Sequence, residues 1–216
     1  MQGRNRKNAR TGAEYRMTQQ CLGNHATGLV FVLSAPAGTG KTTLVRKLCR
    51  KFSCVKASVS YTTRDPRIGE IQGRDYFFVS QEEFCRSISL GEFLEHAEVF
   101  GRHYGTKKAE IEEDIQKGFH VILVIDTQGA LCLQKQGFKA VYIFLAPPTI
   151  QALEDRLILR KTESASKRAE RLSWAKREME QSHFYDYLVV NDKIEVAYDV
   201  LKSILIAEEH RIIKFK

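Results

Sequence analysis

The sequence predicts an α/β fold in which a parallel sheet is sandwiched between helices, and three observations predict it. Residues 28–34 (Gly-Leu-Val-Phe-Val-Leu-Ser), 120–126 and 140–145 are short, almost continuously apolar runs, the pattern of strands buried on both faces. Segments of helical character separate these runs, so strands and helices alternate. The first run passes directly into a glycine-rich turn, Ala-Pro-Ala-Gly-Thr-Gly-Lys-Thr-Thr at residues 35–43, which opens a helix.

Residues 41–52 place Leu44, Val45, Leu48 and Phe52 at three- and four-residue spacing, a helix. Residues 55–61 alternate weakly and run into the loop Thr-Thr-Arg-Asp-Pro-Arg-Ile-Gly-Glu at 62–70. Ser80 with Glu83 makes a capping box for a short helix ending near Gly91. Residues 93–104 read as a strand pair joined around Gly101, and Thr106 is placed to cap a helix running to Gly118. After the strand at 120–126 come a short helix beyond Gln128, the strand at 140–145 and a helix from Thr149. A highly charged segment at 160–177, a last strand at 187–190 and a C-terminal helix complete the chain. The polar insert at 62–107 interrupts the alternation and is expected to form a subdomain. No internal repeat is present.

With 216 residues, 43% hydrophobic and 28% charged, the chain can build one sizeable core. No apolar run approaches the ~18 residues of a membrane span. Half of the +8 net charge lies in residues 1–27, where Arg4, Arg6, Lys7, Arg10 and Arg16 face Glu14 alone. That segment lacks the apolar stretch of a secretory signal and reads as a basic, disordered extension. The body is only mildly basic, so a nucleic-acid partner is not expected. Five cysteines without a C-x-x-C pair point to free thiols and a cytoplasmic location.

The turn at 35–43 nearly matches the phosphate-binding pattern Gly-x-x-x-x-Gly-Lys-[Ser/Thr], with Ala35 in place of the first glycine. Ala35, Pro36 and Ala37 open the loop, Gly38, Thr39 and Gly40 turn it, and Lys41, Thr42 and Thr43 start the helix. Backbone N–H groups of residues 37–42 would converge on a phosphate at the positive end of that helix. Lys41 would neutralise β- and γ-phosphate oxygens of ATP, and the Thr42 hydroxyl would ligate Mg²⁺. Ala35 is tolerable because Pro36 holds the residue before it in the extended region, where φ is negative. Glycine is required where φ turns positive, and Gly38 and Gly40 remain.

The stretches Ser-Tyr-Thr-Thr-Arg-Asp-Pro-Arg (60–67), Phe-Leu-Glu-His-Ala-Glu-Val-Phe-Gly-Arg-His-Tyr-Gly-Thr (93–106) and Val-Ile-Asp-Thr-Gln-Gly (124–129) follow the loop in order. Ala-Pro-Pro-Thr (146–149), Glu-Asp-Arg-Leu-Ile-Leu-Arg (154–160) and Val-Val-Asn-Asp (189–192) come after them. Together these closely resemble guanylate kinase from Gly28 onward. The resemblance implies a three-layer P-loop NTPase fold with a GMP-binding subdomain at 62–107 and a helical lid at 160–173. Residues 28–61, 108–159 and 174–216 would form the core. It implies ATP and GMP, with dGMP, as substrates and Mg²⁺ as cofactor. Arg64 and Arg67 would clamp the GMP phosphate with Ser60, Tyr76 and Tyr104, since guanidinium forks match phosphate oxygens and hydroxyls donate without adding charge. Glu95 and Thr106 would read guanine, with Asp126 near the same base. One carboxylate accepts both N1–H and N2–H of guanine, and adenine would set a lone pair against it, a mismatch that discriminates by roughly 10⁴. Arg156, Arg160 and Arg171 would attend the transferring phosphoryl group, and Asn191 the ATP adenine. Asp126 would assist Thr42 at the cation through water.

Three departures from the family pattern stand out: Ala35 and Ala37 beside Pro36, Val124 where a carboxylate is usual, and Lys161 after the lid arginine. A phosphorylated-sugar kinase shares the loop but has no use for the pair Glu95 and Thr106. A non-catalytic guanylate-kinase-like module typically has an eroded loop, whereas Gly40, Lys41 and Thr42 are intact here.

Overall fold

The computed structural model describes residues 20–159 and 165–212. Nine strands, seven α-helices and a short 3-10 helix (Gln181–Phe184) are assigned among them, beginning with β1 (Val30–Ser34), α1 (Lys41–Lys51), β2 (Val55–Ala57), β3 (Tyr61–Thr62) and β4 (Phe77–Phe78). There follow α2 (Gln81–Ser89), β5 (Phe93–Val99), β6 (Arg102–Lys107), α3 (Lys108–Gln116), β7 (His120–Val124) and α4 (Thr127–Lys135). The last elements are β8 (Val141–Ala146), α5 (Ile150–Leu159), α6 (Ala165–Glu180), β9 (Tyr187–Val190) and α7 (Ile194–Glu209).

The main sheet has the order β2-β7-β1-β8-β9, and every pairing in it is parallel. Alternation along β1 divides the core. Phe31 and Leu33 face a cluster with Leu44 and Leu48 of α1 and Leu201 and Leu205 of α7. Val30 and Val32 face Ile111 of α3 and Ala130 and Leu133 of α4. Residues successive in a strand point to opposite faces, so a run with no polar member must be covered on both sides. The three-layer α/β expectation is met.

A second, four-stranded sheet, β4-β3-β6-β5, carries the insert. β3 pairs parallel with β4 and antiparallel with β6, and β5 and β6 form a hairpin. The weakly alternating run at 55–61 therefore splits, β2 joining the main sheet and β3 the second. Ser80 caps α2 by accepting the Glu83 N–H, as its spacing predicts. Thr106 does not cap α3. It lies in β6 opposite Glu95, and Lys107 occupies the cap position without a side-chain bond. A β-branched residue in register on a hairpin is held by the ladder, which outweighs its capping preference.

The charged segment at 160–177 is largely helix α6, whose Leu172 and Ala175 pack on Leu153 and Leu157 of α5. Residues 20–27, grouped by sequence with the basic extension, are anchored: Leu22 is buried, and Gly23 and Asn24 bond Glu209. Residues 1–19 lie outside the described residues. Among the described residues no helix is long and apolar enough to cross a membrane. All five cysteines are free thiols.

Candidate active site

The middle strand, β1, delivers its carboxyl end to a cleft of about 310 Å³, where ligands of open α/β sheets bind. Residues 35–43 line one end of it, with Val124 at the end of β7 and Asp126 and Gln128 beyond it. Ser60, Arg67, Tyr76, Glu95 and Tyr104 line the other, and Arg171, Trp174 and Glu178 of α6 flank it.

The loop has the backbone its sequence requires. Gly38 and Gly40 have φ of 96° and 99°, and the only described non-glycine with positive φ is Phe100, so Ala35 is unstrained. A Cβ on Gly38 would stand 3.0 Å from Leu157 Cδ2, and one on Gly40 2.7 Å from Asn191 Nδ2. No side chain caps α1 at Gly40, which leaves the first N–H groups of the helix to a ligand. The Lys41 ammonium folds back onto the Ala35 carbonyl.

Two residues expected at the nucleotide act on the loop from behind instead of lining the cleft. Asn191 is buried and donates to the Thr39 carbonyl at 2.6 Å. Arg156 donates to the carbonyls of Asn191 and Asp192 at 2.9 and 3.3 Å, fixing the turn that carries Asn191. Arg160 and Lys161 lie outside the described residues.

At the other end Glu95 is 5% exposed and accepts the Thr106 hydroxyl at 2.7 Å. Burial pushes its carboxyl up to about 7, with nearby Asp126 adding to the rise against the Thr106 bond. Asp126 caps α4 by accepting the Gly129 N–H at 2.8 Å; burial raises it too, only partly offset by that bond and by Lys41. Tyr76 and Tyr104 meet edge to face at 6.0 Å. Arg67 lines the cleft, but Arg64 does not: its guanidinium stacks over Tyr76 and is held by both Glu70 oxygens at 2.9 and 3.0 Å.

A family model for guanylate kinase matches residues 28–208. The guanylate kinase of Protochlamydia amoebophila is 51% identical over 192 residues, 89% of this chain and 97% of that protein. That of Chlamydia trachomatis serovar D is 49% identical over 183 residues, 84% of this chain and 89% of that protein. The crystal structure of guanylate kinase from Anaplasma phagocytophilum superposes with a TM-score of 0.71 at 38% identity, covering 86% of this chain and 88% of that one.

The chain belongs to the guanylate kinase family. It is thereby a nucleoside monophosphate kinase, and phosphoryl transfer from ATP to GMP is the family reaction. Within this guanylate kinase fold, sequence reasoning missed two features of the cleft. Gly129 is the first: a Cβ there would stand 2.5 Å from Glu95 Oε2, so its bare backbone makes room for the carboxylate. Glu178 is the second, its carboxyl pushed up to about 7 by burial against the pull of Lys41. The signal for it was present, since Arg171, Trp174 and Glu178 recur at helical spacing and share one face. The resemblance marks Arg171 alone on that face, and Glu178 lies beyond the charged segment at 160–177.

Proposed function

We propose that this chain phosphorylates GMP, and dGMP with it, using ATP and Mg²⁺ in the cytoplasm. The observation that carries the reading is one cleft joining a phosphate-binding loop to a buried carboxylate beside arginine and tyrosine donors. In this scheme the N–H groups of residues 37–42 hold the ATP phosphates and Lys41 exchanges the Ala35 carbonyl for phosphate oxygens. Ser60, Arg67, Tyr76 and Tyr104 hold the GMP phosphate, and Arg64 joins them by releasing Glu70. Glu95, steadied by Thr106, accepts from guanine N1–H and N2–H, with Asp126 alongside. Asn191 and Arg156 keep the loop rigid from behind, and Arg171, with Arg160, neutralises the oxygens of the transferring group.

The donor set suits Mg²⁺. Thr42 and, through water, Asp126 are hard oxygen ligands, and Mg²⁺ commonly takes one or two protein ligands besides phosphates and water. Among the described residues no cluster of three or more acidic, His or Cys side chains offers a dedicated metal cage, which matches a cation that arrives with its nucleotide. When bound, it neutralises charge on the β- and γ-phosphates. Closure of the second sheet and α6 over the substrates would exclude water, which otherwise competes as acceptor.

A coupled ADP-release assay across GMP, dGMP, AMP, CMP and UMP tests the reading, with Lys41→Ala as control. Turnover of GMP and dGMP alone, abolished in the control, is expected. Turnover of AMP in preference to GMP, or GMP binding without turnover, would overturn it.

A further inference from the structure

The hairpin tip between β5 and β6 is a two-residue loop, Phe100–Gly101, closed by the pair Val99 and Arg102. Both loop residues have positive φ, 51° and 71°, the mark of a type I′ turn. Such turns select Asn or Asp before Gly, and an aromatic residue is strained at the first position. The hairpin itself therefore gives no reason for phenylalanine there. The residue is 41% exposed, so burial in a core gives none either.

What the ring touches lies across the cleft. Its centroid is 5.5 Å from that of Trp174, edge to face, and the Arg171 guanidinium stands 5.6 Å from it. Arg171 and Trp174 are neighbours on one face of α6, and all three residues line the cleft. Glu95, Ala97 and Val99 line it from the strand that ends just before Phe100, so the ring rides on the hairpin that carries the proposed guanine reader. Strain retained at one residue, with its ring seated on an arginine of the opposite wall, marks a functional contact between the two walls.

We propose that Phe100 is a positioning residue: carried by the GMP-binding hairpin, its ring seats Arg171 through a cation–π contact braced by Trp174, so that GMP binding and placement of the transfer arginine are coupled. The proposal rests on the assignment of Arg171 to the transferring phosphoryl group.

Trp174 is the only tryptophan of the chain, so its emission reports the contact directly. Phe100→Gly removes the ring while relieving the backbone, and Phe100→Tyr keeps a ring. With GMP bound, acrylamide should quench Trp174 several-fold more readily in the Gly variant than in the parent or the Tyr variant. The Gly variant should lose about tenfold in kcat, the scale of a cation–π contact, with KM for GMP changed less than about threefold and thermal stability not reduced. In an Arg171→Ala background, Phe100→Gly should cost nothing further. Unchanged kcat or unchanged quenching in Phe100→Gly, where Arg171→Ala alone is slow, overturns the proposal and leaves the Arg171 assignment standing. Full kcat in Arg171→Ala overturns that assignment and the proposal with it.

Discussion

In the proposed scheme Glu95 concentrates the chemistry of the GMP side. Its carboxyl sits at about 7 because burial disfavours the charged form, yet reading N1–H and N2–H together requires that form. Apparent GMP affinity should therefore break near pH 7 and fall toward tenfold per pH unit below it; calorimetric titration of GMP between pH 5.5 and 8.5 measures this, and Glu95→Gln should remove that break along with GMP selectivity, leaving only the titration of the GMP phosphate at about pH 6. The stability consequence has the opposite direction. A carboxyl raised from 4.5 to about 7 holds its proton longer in the folded state, so its contribution, on the order of 3 kcal/mol, is present at low pH and lost as pH rises between those values. Beside it, Gly129→Ala adds a Cβ at 2.5 Å from Glu95 Oε2, the free end of a side chain that can swing aside. The helix gains about 1 kcal/mol in propensity, so the fold should survive while the displaced carboxylate raises KM for GMP about tenfold or more. Steady-state kinetics with KM for ATP as the internal control checks it; equal rises in both would point to a general distortion.

At the scale of elements, the N-terminal strap and α7 are clasped by one carboxylate. Glu209, 2% exposed, accepts N–H groups of Gly23 and Asn24 at 2.9 and 2.6 Å and meets His120 Nε2. His120 Nδ1 accepts the Leu29 N–H at 3.0 Å, which leaves Nε2 to carry the ring proton and donate it to Glu209. Burial alone would raise the Glu209 carboxyl, but those N–H donors overrule it and hold it below its usual value. Its stabilisation is present above the unfolded value and fades as pH falls through the lower folded one. Glu209→Ala strands several buried donors at once and should cost about 3–5 kcal/mol, read as a lowered urea midpoint at pH 7. This clasp was illegible in the sequence because Glu209 lies 186 and 185 residues from Gly23 and Asn24 and 89 from His120. The packing of α6 was illegible for another reason, its packing face being only Leu172 and Ala175 among charges, although the resemblance implies a helical lid there. β1, β7 and β8, apolar on both faces, and α1 with its strong one-sided pattern could be read directly. So could the loop, whose spacing declares phosphate chemistry, whereas Glu95 is singled out only by the resemblance. That Arg156 and Asn191 brace the loop depends on carbonyl groups that no residue letter encodes.

The whole molecule is two sheets with a cleft between them, and they are unequally protected. The main sheet has Phe31, Val32, Leu33, Leu123, Ile143 and Leu145 fully buried between helices. The second sheet, with two two-residue strands, leans on a small aromatic cluster in which Phe84 stacks on Phe93 at 4.5 Å and Tyr61 on Phe77 at 4.6 Å. Fewer buried contacts lower the free energy of local opening, so the second sheet should open without the first. Opening it destroys the proposed GMP site but leaves residues 35–43 and their backing by α5 and Asn191 in place. Ligand linkage then separates the two motions. GMP at 100 times its Kd should slow amide exchange in β3, β5 and β6 about 100-fold, or about 2.7 kcal/mol, and slow the main sheet as well. A non-hydrolysable ATP analogue should slow β1, β7 and β8 comparably while leaving the second sheet nearly unchanged. Hydrogen exchange followed by mass spectrometry resolves these segments, and equal protection of both sheets by the ATP analogue would mean that the molecule opens only as one unit.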